Sequence, residues 1–342
     1  MVIRVTDTQG PAPLPMLARL RDHLPHSYSL LRRGQFSHFG KQTAFKPQHG
    51  HFLLATDDDS EQNRSNGETQ DHEPLSPAQS SPAKHFAAAY LDLSQHPSTE
   101  MFFYSTLQNH ANPASALPQQ ELTHALDLAV AIFQRVRAIA RATIADGRHP
   151  VGRPLAVMCG GLQQATHRLL IDRRGFVSSY YNPYDQWLFR IDALPVLPAE
   201  LLALQTERCV KAGLHWADVR REDVPLIASR TKIPKVADLL MSEPSVGVRD
   251  GEGMLVAWAF MDIAGTLSTL HVEEPFRGQG IAKAIATTIL REHTFGDDSW
   301  GSAEVHVDNV QSQGVCRSLG GKKGLQICWS AINYDSIPEN EL

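Results

Sequence analysis

Residues 270–282 carry the clearest chemical signal in the chain, because two glycines follow a strand-like run and precede a helix-like one. Gly278 and Gly280 allow backbone N–H groups to approach a ligand closely. The N-terminus of the following helix adds unpaired N–H donors and the positive end of the helix dipole. We therefore predict that this turn binds a pyrophosphate, mainly through its backbone.

The neighbouring segments predict the elements that position this turn. Residues 254–260 and 267–272 are apolar runs of strand length joined by a short turn, and they predict a hairpin. Isoleucine recurs every fourth residue over 281–289, which is typical of the buried face of a helix. Residues 303–307 alternate as a strand, and a short helix is predicted to follow and to end near Gly320.

This arrangement resembles the GNAT superfamily of acyl-CoA-dependent N-acyltransferases. The phosphate motif of that family is Arg or Gln, two residues, Gly, one residue, then Gly or Ala, and Arg277, Gly280 and Ala282 match it. The resemblance covers roughly residues 214–334. It implies an α/β fold of the α+β type and a site for acetyl-CoA or another acyl-CoA as co-substrate.

A second signature of the family also matches, with one departure. Asn309 follows the predicted strand, Ser312 supplies the small residue three positions on, and Gly320 supplies the later glycine. Cys316 stands where many relatives have a tyrosine that protonates the leaving thiolate. A thiol can donate a proton, but a cysteine in a helix more often only packs.

The amino-terminal half is similar to that of glycine N-acyltransferase-like proteins, which carry a degenerate acyltransferase-like domain ahead of the working one. Residues 16–27 and 86–94 carry this looser likeness. It implies two GNAT-like halves, each a mixed, mostly antiparallel sheet flanked by helices. We expect domains at 1–205 and 206–342, with the acyl-CoA motif in the second.

The resemblance implies a set of acyl-CoA-binding positions. Leu270 and Val272 would pair with the pantetheine arm, and the Val272 N–H would polarise the thioester oxygen. The expected acyl-CoA-binding residues are Leu270, His271, Val272, Arg277, Gly278, Gln279, Gly280, Ile281, Ala282, Lys283, Asn309, Ser312 and Cys316.

Direct attack of an amine on the thioester needs a proton acceptor and no protein nucleophile. Relatives of the glycine-conjugating type have a glutamate eleven residues before the motif arginine, where this chain has Thr266. His271 and His306 are therefore the first candidates for the base, followed by Glu273, and Cys316 is the candidate acid. For each histidine the alternative is a hydrogen-bonded scaffold residue, and the base can also be water.

Composition excludes several other classes of function. The chain has 342 residues, a formal net charge of −5 and a pI near 6.3, so we expect neither nucleic acid nor an anionic membrane as a partner. The sixteen histidines are dispersed without a ligand motif, and we expect no metal. Four scattered cysteines, at 159, 209, 316 and 328, indicate a reducing compartment, with the cytoplasm as the default.

Other segments predict elements of the first half. Residues 122–144 form a long amphipathic helix pattern, and 56–84 is a polar insertion that we expect to be disordered. The further predictions are strands at 52–55, 155–159 and 169–172, helices at 86–93, 199–212, 221–227 and 236–241, and an aromatic group at 176–188 that either lines a pocket or packs between domains.

The sequence therefore favours an N-acyltransferase that transfers an acyl group, most commonly acetyl, to the amine of a small molecule or amino acid. A catalytically weak or inactive acyl-CoA-binding scaffold is the alternative, since both the expected glutamate and the expected tyrosine are replaced. The acceptor, the acyl chain length and the oligomeric state are not determined. An acceptor pocket without a cation to bind a carboxylate would argue against an amino-acid acceptor.

Overall fold

The computed structural model describes residues 2–38, 49–57, 84–96, 98–147, 151–197, 213–231, 233, 236–292 and 299–339. Within these residues the strands join into one sheet of twelve. In chain order they are β1 Ile3–Gln9, β2 His51–Asp57, β3 Phe86–Leu91, β4 Met101–Ser105, β5 Ala156–Gln163, β6 Ser178–Arg190, β7 His215–Ala217, β8 Ser245–Arg249, β9 Leu255–Met261, β10 Thr266–Val272, β11 Trp300–His306 and β12 Lys322–Asn333.

The order of the strands reveals an exchange between the two halves. The sheet runs β1-β2-β3-β4-β5-β12-β6-β11-β10-β9-β8-β7. The last strand of the first half, β6, pairs with β11 of the second, and the last strand of the second half, β12, pairs with β5 of the first. β6 and β12 also pair with each other, so the four central strands come from both halves. The two halves therefore share one continuous sheet.

Each half contributes helices to the faces of this sheet. The helices are α1 Leu14–Arg21, α2 Tyr28–Phe36, α3 Pro113–Ala116, α4 Gln119–Asp146, α5 Gln164–Arg174, α6 Val224–Ser229, α7 Ala237–Leu240, α8 Ile281–Glu292 and α9 Val310–Ser318. One core cluster includes residues of α1, α2 and α8, a second includes α4 and α5, and a third packs α6 and α7 against Trp258 and Phe260.

The prediction of a helix at 86–93 was wrong, because this segment is the strand β3. Its residues are buried on both faces of the sheet: Phe86, Ala88 and Tyr90 lie in one core cluster, while Ala87, Ala89 and Leu91 lie in the other. Three consecutive alanines favour a helix locally, but tertiary packing on both faces overrides that preference.

The prediction of a strand at 169–172 was also wrong, because these residues belong to α5. This helix ends at Gly175, whose φ of 71° closes it in the left-handed conformation. The long helix pattern at 122–144 is confirmed by α4, which ends at Gly147 in the same way. Both helices bury their apolar faces on the same cluster of strands.

The remaining predictions divide into confirmed elements and untested ones. The strands predicted at 52–55, 155–159, 254–260, 267–272 and 303–307 are present, as are helices close to those predicted at 221–227, 236–241 and 281–289. The helix at 199–212, Cys209 and residues 58–83 of the insertion lie outside the described residues, while Asp57 closes β2 and Lys84 pairs with Glu121. The domain boundary at 205 stays a prediction.

Candidate functional site

A cleft opens between β10 and β11 of the second half. These strands are parallel and pair only at Thr266 with Ser302 and at Leu267 with Ala303. Directly after this pairing β10 has a bulge between Ser268 and His271, where Thr269 adopts a φ of 54°. A threonine with positive φ is a strained residue, and such a bulge redirects the strand. The two strands diverge from this point towards their carboxyl ends.

The glycine turn lies at the end of β10, as the sequence predicted. A short 3-10 turn, Glu274–Phe276, follows the strand, and α8 begins at Ile281. Gly278 and Gly280 have φ of 75° and 82°, which side chains rarely tolerate, and both are exposed. Arg277 donates from Nε to the carbonyl of Val272 at 2.9 Å and so fixes the turn to the strand.

The backbone N–H and C=O of Val272 point away from β9. The N–H of Glu273 donates to Val256 of β9 at 2.8 Å. Because donors alternate along an antiparallel pair, Val272 directs its N–H and C=O towards the side where β11 has diverged. Its C=O accepts from Arg277 Nε at 2.9 Å, and Val272 itself lies one residue beyond the part of β10 that lines the cavity.

The other predicted acyl-CoA positions occupy different environments. Leu270 and His271 line the cleft, whereas Ile281 is buried in the core. Gln279, Ala282 and Lys283 lie on or beside the first turn of α8, with Gln279 Nε2 3.5 Å from the carbonyl of Pro275. Asn309 caps α9, since its side chain accepts from the N–H of Ser312 at 3.0 Å, and both residues line the cleft.

The cleft continues into a cavity of about 1530 Å³ that both halves line. Its floor is one face of the four exchanged central strands. The floor residues are Ala156 and Met158 of β5, Trp329 and Ala331 of β12, Tyr180, Asn182 and Tyr184 of β6, and Glu304 and His306 of β11. Residues of α6, α7 and the segment between them form a second wall. The aromatic group predicted at 176–188 is divided, because Tyr180 and Tyr184 line the cavity while Phe176 and Trp187 are buried.

Glu304 is the ionisable side chain that sequence reasoning missed. It follows the last parallel pair of β11 directly, so it lies where the cleft opens. Its Oε2 accepts from Trp329 Nε1 at 2.7 Å, and no Lys, Arg or His of the described chain forms an ion pair with it. Burial raises the pKa of Glu304 to about 7 against the effect of this hydrogen bond, and the charge of Asp262 adds to the rise.

One sequence signal could have identified Glu304. It shares the alternation of the predicted strand 303–307 with His306, so both side chains lie on the face that borders the cleft. Thr266, which replaces the glutamate of the glycine-conjugating relatives, is buried in the structure. This chain has a carboxyl side chain on the neighbouring strand instead, at Glu304 of β11.

Two of the predicted bases, His271 and Glu273, belong to one small network. His271 lines the cavity, stacks on Trp258 with ring centroids 4.7 Å apart, and has a pKa lowered by burial. Its Nε2 is 3.5 Å from Glu273. Glu273 receives hydrogen bonds from Arg230 at 2.8 and 3.3 Å, which lower the pKa of its carboxyl. A carboxylate paired in this way is a poor proton acceptor.

His306 lines the cavity, but both ring nitrogens already have partners. Nε2 lies 3.1 Å from Oδ1 of Asn182, and Nδ1 is 3.2 Å from the N–H of Asp308. Because an N–H donates to Nδ1, the hydrogen-bond pattern assigns the proton of the neutral ring to Nε2. The ring also contacts Tyr184 edge-on at 5.5 Å. These contacts favour the scaffold role over that of a free base.

Cys316 packs in the core beside the cleft. It lies on α9, is 3% exposed, and belongs to the same hydrophobic cluster as α8. Burial raises the pKa of its thiol to about 12. A thiol with this pKa is a weaker acid than a free tyrosine, so the geometry favours packing over proton donation.

The two arginines on the cavity wall already contact carboxylates. Arg153 lies 3.3 Å from the buried Glu100, and Arg230 contacts Glu273. Acidic side chains also line the cavity: Glu243, Asp262, Glu304 and Asp308. In the part of the chain that the structure describes, the cavity therefore presents more carboxylates than cations.

Two features are absent from the described residues, a metal-binding cluster and a membrane-spanning helix. No cluster of three or more His, Cys, Asp or Glu side chains is arranged to hold a metal ion. No helix among them combines the length and the apolar character that crossing a membrane requires.

Comparison with known proteins identifies both halves. Residues 3–187 match the model described as the acyl-CoA N-acyltransferase verG N-terminal domain, and residues 245–330 match the FR47-like protein model. No curated protein matches the sequence significantly. The first match covers more than half of the chain, and the second contains the cleft and the glycine turn.

Solved structures align with nearly the whole chain at low sequence identity. A Drosophila protein of 14% identity aligns with 96% of this chain and 100% of its own, with a TM-score of 0.55. A GCN5-related N-acetyltransferase from Sphaerobacter thermophilus aligns at 13% identity over 99% and 98%, with a TM-score of 0.46. A tandem GNAT protein from the clavulanic acid pathway aligns at 10% identity over 96% and 98%, with a TM-score of 0.43. The chain belongs to the family of the acyl-CoA N-acyltransferase verG N-terminal domain, and its second half matches the FR47-like protein model over residues 245–330.

Proposed function

We propose that this protein transfers an acyl group, most commonly acetyl, from acyl-CoA to the amine of a small molecule. One observation carries the proposal: β10, which leads into the glycine turn, and β11, which carries Glu304, diverge after Leu267 and Ala303, and residues of both strands line one cavity. An acyl-CoA bound along β10 would therefore bring its thioester near an ionisable carboxylate. This arrangement supplies what direct aminolysis of a thioester requires.

The donor would be held mostly by backbone groups. The turn at Gly278 and Gly280 and the first N–H groups of α8 suit the pyrophosphate, because a helix N-terminus favours an anion. The first turn of α8 contains no acidic residue. The pantetheine arm would follow β10, where the Val272 N–H is placed to polarise the thioester oxygen.

Glu304 would accept the proton that the acceptor amine must lose. An ammonium group transfers one proton to the carboxylate, and the neutral nitrogen then bonds to the acyl carbon as the carbon–sulfur bond breaks. The nitrogen loses a second proton, and the thiolate of CoA gains one. The products are the amide and CoA thiol, with one proton released, so atoms and charge balance. A carboxylate with a pKa near neutrality suits this role.

Turnover with acetyl-CoA tests the proposal. CoA thiol release would be measured across a panel of primary amines and amino acids, with wild-type protein and Gly280→Asp. We expect amine-dependent thiol release that Gly280→Asp abolishes, because an anion would occupy the phosphate seat. Gly147→Asp is the matched control. Gly147 also has a positive φ, but it ends α4, and a Cβ at this position would have no neighbouring atom within 4 Å.

A non-catalytic acyl-CoA-binding scaffold is the competing function. The replacement of the expected glutamate by Thr266 and of the expected tyrosine by the buried Cys316 favours it. Tight binding of acetyl-CoA without thiol release for any acceptor would support the scaffold and contradict the enzyme. For either function we propose that the protein is cytoplasmic, because the scattered cysteines of the sequence are typical of a reducing compartment.

A further inference from the structure

The carboxyl group of Glu304 has no cationic partner in the described chain. It is half-buried at the floor of the cavity, and its hydrogen bond comes from a neutral donor, the indole of Trp329. Gly161 of β5 leaves room for it, since a Cβ at that position would lie 3.0 Å from Oε1. A half-buried anion is stabilised by a cation brought next to it.

The cavity walls beyond Glu304 are apolar and aromatic. Leu155 and Tyr180 come from the first half, and Ile233 and Val236 come from the second. All four are large apolar side chains left at least 40% exposed, although they line a concave surface. Exposed apolar side chains gathered in one cavity indicate a surface that a ligand covers. Both halves therefore form the acceptor pocket.

The charges of the cavity oppose an anionic acceptor. Arg153 and Arg230 contact Glu100 and Glu273, so a carboxylate arriving with the acceptor would have to compete with side chains already in place. It would also approach Glu304 and the nearby Asp262, and like charges in a partly desolvated cavity repel each other.

We propose that the acceptor is a cationic amine on a bulky, ring-bearing apolar body, with no carboxylate beside the amine. Its ammonium group contacts Glu304, and its body lies between the apolar side chains of the two halves. The inference rests on the proposed function and specifies its substrate class. It also gives the first half a role, because that half supplies Leu155, Tyr180 and the floor of β5.

Matched acceptors that differ by one carboxylate test the charge part of the proposal. Tryptamine and tryptophan share the indole ring and the amine, and only tryptophan has the carboxylate. With acetyl-CoA at saturation we expect kcat/KM to be at least about tenfold higher for tryptamine, which corresponds to roughly 1.4 kcal/mol. Glu304→Gln should raise the Kd of tryptamine, measured by calorimetry, without changing that of acetyl-CoA. Glu304→Asp, which keeps the charge, should restore part of the binding.

Two adjacent tyrosines test the apolar part. Tyr180 and Tyr181 are both 46% exposed, but Tyr180 lines the cavity and Tyr181 packs beside His167 on the opposite face. We expect Tyr180→Ser to raise the KM for tryptamine about tenfold with little change for propylamine, which is too small to reach it. Tyr181→Ser should leave both values unchanged.

The possible outcomes separate this inference from the proposed function. Equal or better turnover of tryptophan would overturn the acceptor class while leaving the acyltransferase in place. Equal changes in KM for Tyr180→Ser and Tyr181→Ser would overturn the assignment of Tyr180 to the wall of the acceptor pocket. If no acceptor releases thiol, the proposed acyltransferase function fails, and calorimetry then tests the ligand class by itself. Tighter binding of tryptamine to the wild-type protein than to Glu304→Gln would support a cationic amine as the ligand of this cavity. No binding of tryptamine would overturn that ligand class.

Discussion

The two halves place the same pair of elements, a parallel strand followed by a long helix, in very different settings. In the second half β10 ends in the exposed turn of Gly278 and Gly280, and α8 starts nine residues after the strand ends, with its first turn free of acidic residues. In the first half β4 is buried throughout, and α4 starts fourteen residues after β4 ends. Only the second arrangement offers backbone donors to a phosphate.

In the first half, the segment between β4 and α4 corresponds in position to the glycine turn, and side-chain hydrogen bonds hold it closed. Gln108 donates to the carbonyl of Phe103, Tyr104 donates to Asn109, and Pro118 stands at the start of α4. Glu121 places a carboxylate in the first turn of α4, where it contacts Lys84. That carboxylate would oppose a phosphate. The two halves therefore share one sheet, but only the second has an open glycine turn between its parallel strand and the helix that follows.

The largest predicted effect concerns the number of acyl-CoA sites. Calorimetric titration should give one acetyl-CoA per chain, and Gly280→Asp should weaken binding roughly 1,000-fold through repulsion and backbone strain. No residual site should then appear, because the described segment between β4 and α4, residues 106–118, contains no glycine turn. Gly147→Asp should bind acetyl-CoA as the wild-type protein does. A stoichiometry of two acetyl-CoA molecules per chain would contradict the difference between the two halves.

The next largest effect is the loss of kcat expected when the charge of Glu304 is removed. We expect Glu304→Gln to lower kcat roughly 100-fold at pH 8, because general-base catalysis contributes at least that factor. Thiol release at saturating acetyl-CoA measures it. His306→Gln should have a much smaller effect, since both nitrogens of His306 already have partners. An equal loss in both variants would contradict the assignment of the base.

The same carboxyl predicts opposite pH trends for activity and stability. Activity should rise with pH through about 7, as Glu304 becomes ionised, and Glu304→Gln should lack this rise. In the unfolded chain the group ionises near 4.5, so the folded state binds more protons between these values and loses stability as the pH rises through about 7. Glu304→Gln should recover at most about 3 kcal/mol of unfolding free energy at pH 8, measured by denaturant titration.

A smaller effect follows from two glycines with the same backbone conformation. Gly161 and Gly147 both have a φ of 63°, but only Gly161 faces Glu304. Alanine at either position should destabilise the fold by about 1 kcal/mol through the same strain. Only Gly161→Ala should also reduce kcat, about tenfold, because its Cβ would displace the Glu304 carboxylate. Equal kcat values for the two variants would show that this contact does not position the carboxylate.

The smallest effect is expected at two of the three buried cysteines of the described chain, one in α9 beside the cleft and one in β12. Burial raises the pKa of both Cys316 and Cys328 to about 12. We expect Cys316→Ala and Cys328→Ala each to destabilise the protein by about 1 kcal/mol and to leave kcat within about threefold. A large loss of kcat in Cys316→Ala alone would restore the proton-donor hypothesis for that residue.

Prediction from sequence succeeded where the pattern was local and failed where packing decided. The glycine turn, the hairpin before it and the helix after it, from Leu255 to Glu292, follow from one continuous segment of the chain. The alanine-rich β3 and the apolar segment in α5 were assigned wrongly, since burial on two faces and contact with α4 are properties of the tertiary structure. Glu304 was missed for the same reason, because its importance depends on Trp329 and Gly161, which are distant in the chain.

The sequence by itself determined the glycine turn, because the conformation of Gly278, Gly280 and the start of α8 is set locally. The tertiary structure decided which groups face the cleft between β10 and β11. The exchange of β6 and β12 between the halves places Tyr180, Trp329 and Glu304 on one floor. Strand pairing between residues more than one hundred positions apart has no local signature, so the residues that form the acceptor pocket follow only from the fold.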